Sequence, residues 1–210
     1  MHPNPAFRKT PHARNLAFVR DRAFGTLAVT AGDGPLLSHI PLALSADGQT
    51  ADLHLVRSNP ILRVLPCAAV IAVQGPDAYV SPDWYEVPDQ VPTWNYVAVH
   101  LRGHLEALPQ EAMRDMLDRQ SAHFEDQLQP KAPWTTSKMT PDVLERMMRQ
   151  IVPCRLTIAS VEATWKLGQN KPDTVRVAAA QRIRNSGIGQ EVGQLAALME
   201  TPESDLGDTQ

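Results

Sequence analysis

Apolar positions recur with a period of two along much of the first half of the chain, which predicts short strands joined by tight turns. The strand candidates are residues 24–30 (FGTLAVT), 36–44 (LLSHIPLAL), 50–56 (TADLHLV), 68–74 (AAVIAVQ) and 96–108. AGDGP at 31–35 carries an Asp-Gly hairpin step, and SADGQ at 45–49 marks another turn. Pro41 has no N–H for a ladder, so the second strand is expected at an edge or with a bulge. In the third strand Asp52, His54 and Val56 share one face, and Leu53 and Leu55 the other. A short helix is predicted over 15–22, with Leu16 and Val19 inward. Ser58 is the expected N-cap of another helix that opens with Asn59 and Pro60.

Beyond residue 108 the period changes to that of helices. One is predicted over 109–127, with Met113, Met116, Leu117, Gln120 and Phe124 near one face. Another is expected over 141–151, capped by Thr140. A strand over 155–165 leads through a polar turn to a last helix, 172–199. Gly187, Gly189 and Gly193 interrupt that helix and predict two pieces. The tail from Thr201 is polar and acidic, and disorder is expected there. Together these elements predict an α+β protein with a mainly β, antiparallel, barrel-like core and C-terminal helical additions.

A net charge of −3 gives no general attraction to nucleic acid, although Arg182 and Arg184 offer a local basic patch. Cys67 and Cys154 form no CxxC pair and are read as buried, inert thiols. No apolar run reaches membrane-span length and the N-terminus has no signal-like core, so a cytoplasmic protein without membrane contact is expected.

Eleven residues are aromatic, and five of them (Tyr79, Trp84, Tyr85, Trp94, Tyr96) lie in the Pro-rich segment 74–100. Amphipathic rings on rigid turns suit a planar ligand or a subunit interface. LVRSNP at 55–60 admits two readings. In one, Arg57 and Ser58 meet a phosphate at a helix start; in the other, a capped helix follows a solvated arginine. His39 in SHIP and His54 on the neighbouring strand lack a third ligand at metal-binding spacing, so hydrogen-bonding roles are favoured and no metal is expected. KLGQNK at 166–171 is either a phosphate- and heteroaromatic-binding turn or a solvated one. Nucleotide-binding Gly-rich loops, a nucleophile elbow and a helix-turn-helix pattern are all missing from the sequence.

QGPDAYVSPDWY, VPTWNYVAVH with Gly103 after it, and WKLGQNKP resemble the PaiB family of flavin-binding transcriptional regulators. FGTLAVT, HIPLAL and HLVRSNP follow the matching order, so the resemblance spans nearly the whole chain. It implies a single FMN-binding split-barrel domain over 1–200, similar to pyridoxamine-phosphate oxidase. The core would be about 14–108 and 153–167, with helices at 109–151 and 172–199 and a tail at 201–210. It also implies a homodimer with FMN in two clefts along the interface. The backbone of Ser38, His39, Ile40, Pro41 and Leu42 would lie against the isoalloxazine ring. His54, Val56, Arg57, Ser58 and Asn59 would line the ribityl and phosphate side, with Gln74 and Gly75 near the cleft. Trp94, Asn95 and Tyr96 would sit at the dimer interface. Lys166, Gln169, Asn170 and Lys171 would approach the cofactor from either chain.

Three functions stand from the sequence. One is an FMN-binding regulator of transcription with DNA as a partner. Another is an FMN-dependent oxidoreductase acting on a small molecule, and the last a structural dimer without cofactor. Whether the chain is an enzyme stays open at this stage.

Overall fold

The structure is a computed structural model that describes residues 1–202. Of the polar tail, 201–210, only the first two residues fall within that range, and the expected disorder lies outside the described residues. The elements are α1 (His12–Arg22), β1 (Phe24–Ala31), β2 (Gly34–Pro41), β3 (Ala43–Leu44), β4 (Thr50–Val56), β5 (Cys67–Val80) and β6 (Thr93–Ala107). They continue with α2 (Met113–Glu125), α3 (Pro141–Met148), β7 (Ile151–Lys166), α4 (Asp173–Ile183), β8 (Gly189–Gln190) and α5 (Val192–Glu200). The strands pair in the order β2-β1-β5-β6-β7-β4-β3, and β8 pairs with β5. By backbone proximity the chain divides into two compact units. One comprises 12–73 and 100–161, and the other, among the described residues, 1–11, 74–99 and 162–202.

The first unit rests on strict alternation. In β4, Ala51, Leu53 and Leu55 are buried, while Asp52, His54 and Val56 occupy the other face. Asp52 is only 4% exposed, so its charge needs partners. Arg155 of β7, directly opposite in the antiparallel register, donates to both carboxylate oxygens at 2.6 and 2.9 Å. Arg119 of α2 adds a bond of 2.8 Å. Burial works against this carboxylate, but the hydrogen bonds from Arg155 and Arg119 outweigh it and hold its pKa below the ordinary value. Helix α2 buries Met113, Met116 and Gln120, whereas Phe124, expected inward, is 39% exposed. Pro41 ends β2, as its missing N–H requires, and Leu42 N–H instead donates to Ala23 O at 2.9 Å. At Gly103 of β6 an added Cβ would stand 2.0 Å from Thr157 O, so only glycine allows that approach.

The other unit corrects the expectation that 74–100 is mostly turns. β5 runs on to Val80 because β8 pairs with it at Asp77 and Ala78 and extends its ladder. Only the stretch between β5 and β6 is loop, with one 3₁₀ turn, Pro82–Tyr85. The last helix is indeed two pieces, α4 and α5, packed together. Gly189 lies between them at φ +136°, and an added Cβ would meet Asp77 O at 2.3 Å. Buried Arg176 ties the pair, donating from Nε to Met199 O at 2.7 Å, and Arg184 grips Glu200 at 2.9 Å through both carboxylate oxygens. Among the described residues no helix is long and apolar enough to cross a membrane. Cys154 is buried and its thiol is pushed up to about 12 by that burial. Cys67, expected buried, is half-buried, and burial raises its pKa as well.

Asp52→Ala leaves two arginines without their shared anion and is expected to cost about 3 kcal/mol in a denaturant titration. A lowered folded pKa means that Asp52 stabilises the protein above its ordinary pKa. That contribution disappears as pH falls through the folded value. Acidification should therefore destabilise the wild type more than Asp52→Asn, and equal pH profiles would refute the argument.

Gly103→Ala forces β6 and β7 apart and should lower stability by about 3 kcal/mol, read from the denaturation midpoint.

Candidate functional site

The residues singled out by the sequence fall into two groups, one in each unit. In the first, the structure brings strand β2 and the turn after β4 together. Asn59 donates from Nδ2 to Ser38 Oγ at 3.2 Å, and its Oδ1 accepts from Ile61 N at 3.0 Å. Asn59, and not Ser58, is therefore the cap. The expected helix is a single 3₁₀ turn, Pro60–Arg63, because Pro66 and β5 follow too closely for propagation. A helix dipole contributes nothing to anion binding here. Val56, Arg57 and Ser58 are exposed around this turn. The Arg57 guanidinium is already engaged: Nε donates to Arg149 O and Nη2 to Gln110 Oε1, each at 2.8 Å.

On β2 and just beyond its end, the side chains of Ile40 and Leu42 point into the core at 2% exposure, so only their backbone is offered outward. Among the described residues β2 ends the strand order and has a free side to its ladder. His39 is exposed, with Nδ1 at 3.1 Å from Thr26 Oγ1. His54 is half-buried, with Nδ1 at 3.1 Å from Gln120 Oε1. Burial lowers its pKa, and the bond from Gln120 works the other way without cancelling it, so the ring is neutral at neutral pH. Among the described residues no three His, Cys, Asp or Glu side chains are grouped to hold a metal ion.

In the second group, Gln74 donates to Asp77 Oδ2 at 3.0 Å beside buried Gly75. Trp94 is 47% exposed, its ring edge-on to Tyr79 at 6.3 Å. Asn95 is not at a surface: it is 1% exposed and donates to Met199 Sδ at 3.3 Å, because alternation along β6 turns it inward. Lys166 bonds Thr93 Oγ1, and Lys171 bonds Gln90 Oε1 while standing 4.2 Å from the centre of the Tyr85 ring. Burial, and then the charge of Lys171, lower the Lys166 pKa. Neither lysine has a carboxylate partner among the described residues, and both are held by neutral groups. Gln169 serves its own turn, accepting from Leu167 N at 2.8 Å and donating to Trp165 O at 2.6 Å. Asn170 is exposed.

Sequence reasoning placed Gln120 on the buried face of α2 but gave it no part in the site. A polar residue among the buried Met113 and Met116 positions was the available signal. Gln110, which holds Arg57, falls at the start of the helix predicted over 109–127, and nothing in the pattern there tied it to Arg57.

The donors of the first unit, the backbone of β2 and the exposed Arg57 and Ser58 of the turn, are of the types that suit a flavin mononucleotide. The mainly antiparallel, unclosed sheet with its helices is that of the flavin-binding split-barrel proteins. The FAD and heme binding protein of Mycobacterium smegmatis has this fold, at TM-score 0.56 and 17% identity over 77% of this chain and 74% of that one. So does the flavocytochrome Anf3 of Azotobacter vinelandii, at TM-score 0.57 and 11% identity over 79% of this chain and 72% of that one. The chain belongs to the family described as "Putative FMN-binding domain", whose profile matches residues 1–160, and FMN is the cofactor this membership assigns. It is also 30% identical to the protease synthase and sporulation protein PAI 2 of Bacillus subtilis over 201 residues, 93% of this chain and 95% of that one.

Gln169→Ala removes both bonds that close its turn and should lower stability by about 1–2 kcal/mol in thermal unfolding. An unchanged midpoint would mean that its amide is free for a ligand.

Proposed function

We propose that the protein is an FMN-binding homodimer of the PaiB type that regulates transcription. The bond from Asn59 to Ser38 carries the cofactor part, because it joins the strand expected at the ring to the turn expected at the ribityl and phosphate side. In this reading the backbone of Ser38, His39, Ile40, Pro41 and Leu42 holds the ring. His54, Val56, Arg57, Ser58 and Asn59 hold the side chain and phosphate. Gln74, Gly75, Trp94, Lys166, Asn170 and Lys171 would approach a cofactor from either chain of the dimer, while Asn95 and Gln169 serve bonds inside their own unit. When bound, FMN supplies reversible one- and two-electron chemistry.

The dimer is supported by one sheet face of the first unit. Phe24 and Leu37 are 54% and 62% exposed there. Thr26, Ala28, Val70 and Ala72 lie on the same face by register. Such an apolar sheet face suits burial against a second copy. The regulatory role is supported by the likeness to a relative named for protease synthesis and sporulation. The net charge of −3 favours the second reading, an FMN-dependent oxidoreductase with a small substrate, over direct contact with DNA.

The purified protein should retain flavin absorption bands after FMN loading and desalting, and should scatter light as a dimer at micromolar concentration. Leu37→Asp should shift it to monomer. A colourless monomer would sink the reading. DNA mobility shifts and nicotinamide-driven reduction then separate regulator from oxidoreductase.

Arg57→Ala should weaken FMN by about 1–3 kcal/mol in a fluorescence titration and riboflavin less, because the lost donor is charge-assisted. Equal losses for both would remove Arg57 from the phosphate.

A further inference from the structure

The structure fixes more about His54 than its position. Gln120 is 5% exposed and its amide has two partners. One end lies 3.1 Å from the backbone oxygen of Asp52, which can only accept. That end must be the NH₂ group, since a carbonyl there would set oxygen against oxygen. Oε1 is therefore the end that meets His54 Nδ1 at 3.1 Å, and an amide oxygen can only accept. Nδ1 must carry a proton. Burial disfavours the doubly protonated ring, so the neutral ring carries no proton on Nε2.

We propose that Gln120 is a positioning residue that locks His54 as its Nδ1–H tautomer, and that Nε2 accepts a hydrogen bond from a hydroxyl of the flavin's ribityl chain. The hydroxyl contact rests on the flavin reading above; the lock does not. Nε2 in this state is a lone pair and no cation. It repels a phosphate and suits an O–H donor, which divides the labour between β4 and the turn that follows it. His54 takes a hydroxyl of the side chain, and Arg57 is left to meet the charge. The chain of constraint runs from Asp52 O through Gln120 to His54, all within one unit.

The test is long-range proton–nitrogen correlation NMR on histidine-labelled protein at neutral pH, with the His54 signals assigned by their loss in His54→Asn. The expected spectrum shows Nδ1 protonated and Nε2 bare. Gln120→Leu should bring Nε2–H forward, whereas Gln120→Glu, which keeps an acceptor oxygen, should retain Nδ1–H. A protonated Nε2 in the wild type, or a spectrum unmoved by Gln120→Leu in a folded protein, overturns the lock. Adding riboflavin should move the Nε2 signal and leave Nδ1 protonated, and a still Nε2 signal under saturating flavin overturns the hydroxyl contact. Gln120→Leu should weaken FMN and riboflavin by the same factor, about tenfold. A larger loss for FMN would place His54 at the phosphate instead. A protein that binds no flavin sinks the flavin reading and the hydroxyl contact together, while the tautomer spectrum still judges the lock.

Discussion

The carboxylate of Asp52 is the constraint on which much of the first unit depends. A buried anion on a strand is tolerable only when its charge and lone pairs are met, and here three nitrogen donors from two elements meet them. Arg155 supplies two from the opposing strand, so the pair also fixes the register of β4 against β7. Arg119 supplies the third from α2 and sets that helix against the polar face of β4. With α2 so placed, the next residue, Gln120, meets both the Asp52 carbonyl and the His54 ring. A charge interaction thus determines where a neutral, chemically directed imidazole stands.

The same economy holds around Asn59. One amide group caps the turn through its oxygen and holds the edge strand through its nitrogen. Arg57 is likewise oriented by carbonyl oxygens of a distant stretch and by Gln110, whose own amide is anchored to Met148 O at 2.9 Å. Side chains proposed to meet the flavin are held by groups that need not touch it.

Much of the fold was legible because local physics decides it. The alternation in 50–56 gives β4 residue for residue, and the glycines after α4 foretell the break before α5. What the sequence hid were the features that depend on remote partners. β5 passes Gln74 because β8, more than a hundred residues on, completes its ladder. Asn95 looked like an interface residue but alternation buries it against Met199. The turn after Asn59 reads as a helix until the room left before Pro66 is counted. Of the candidate site, the sequence offered residue types but not their mutual bonds, since hydrogen-bond direction is set by geometry that no spacing encodes.

Asn59 also has a consequence for how the chain can change over time. Aspartate there would keep the cap yet lose the donor to Ser38. Serine would cap without reaching the strand, and glutamine, one carbon longer, would overreach the turn. A single side-chain type satisfies both demands. Its neighbours Arg57 and Ser58 face solvent under looser geometric demands, so mutational drift can retune the surroundings of the turn long before it can alter the residue that joins it to the sheet.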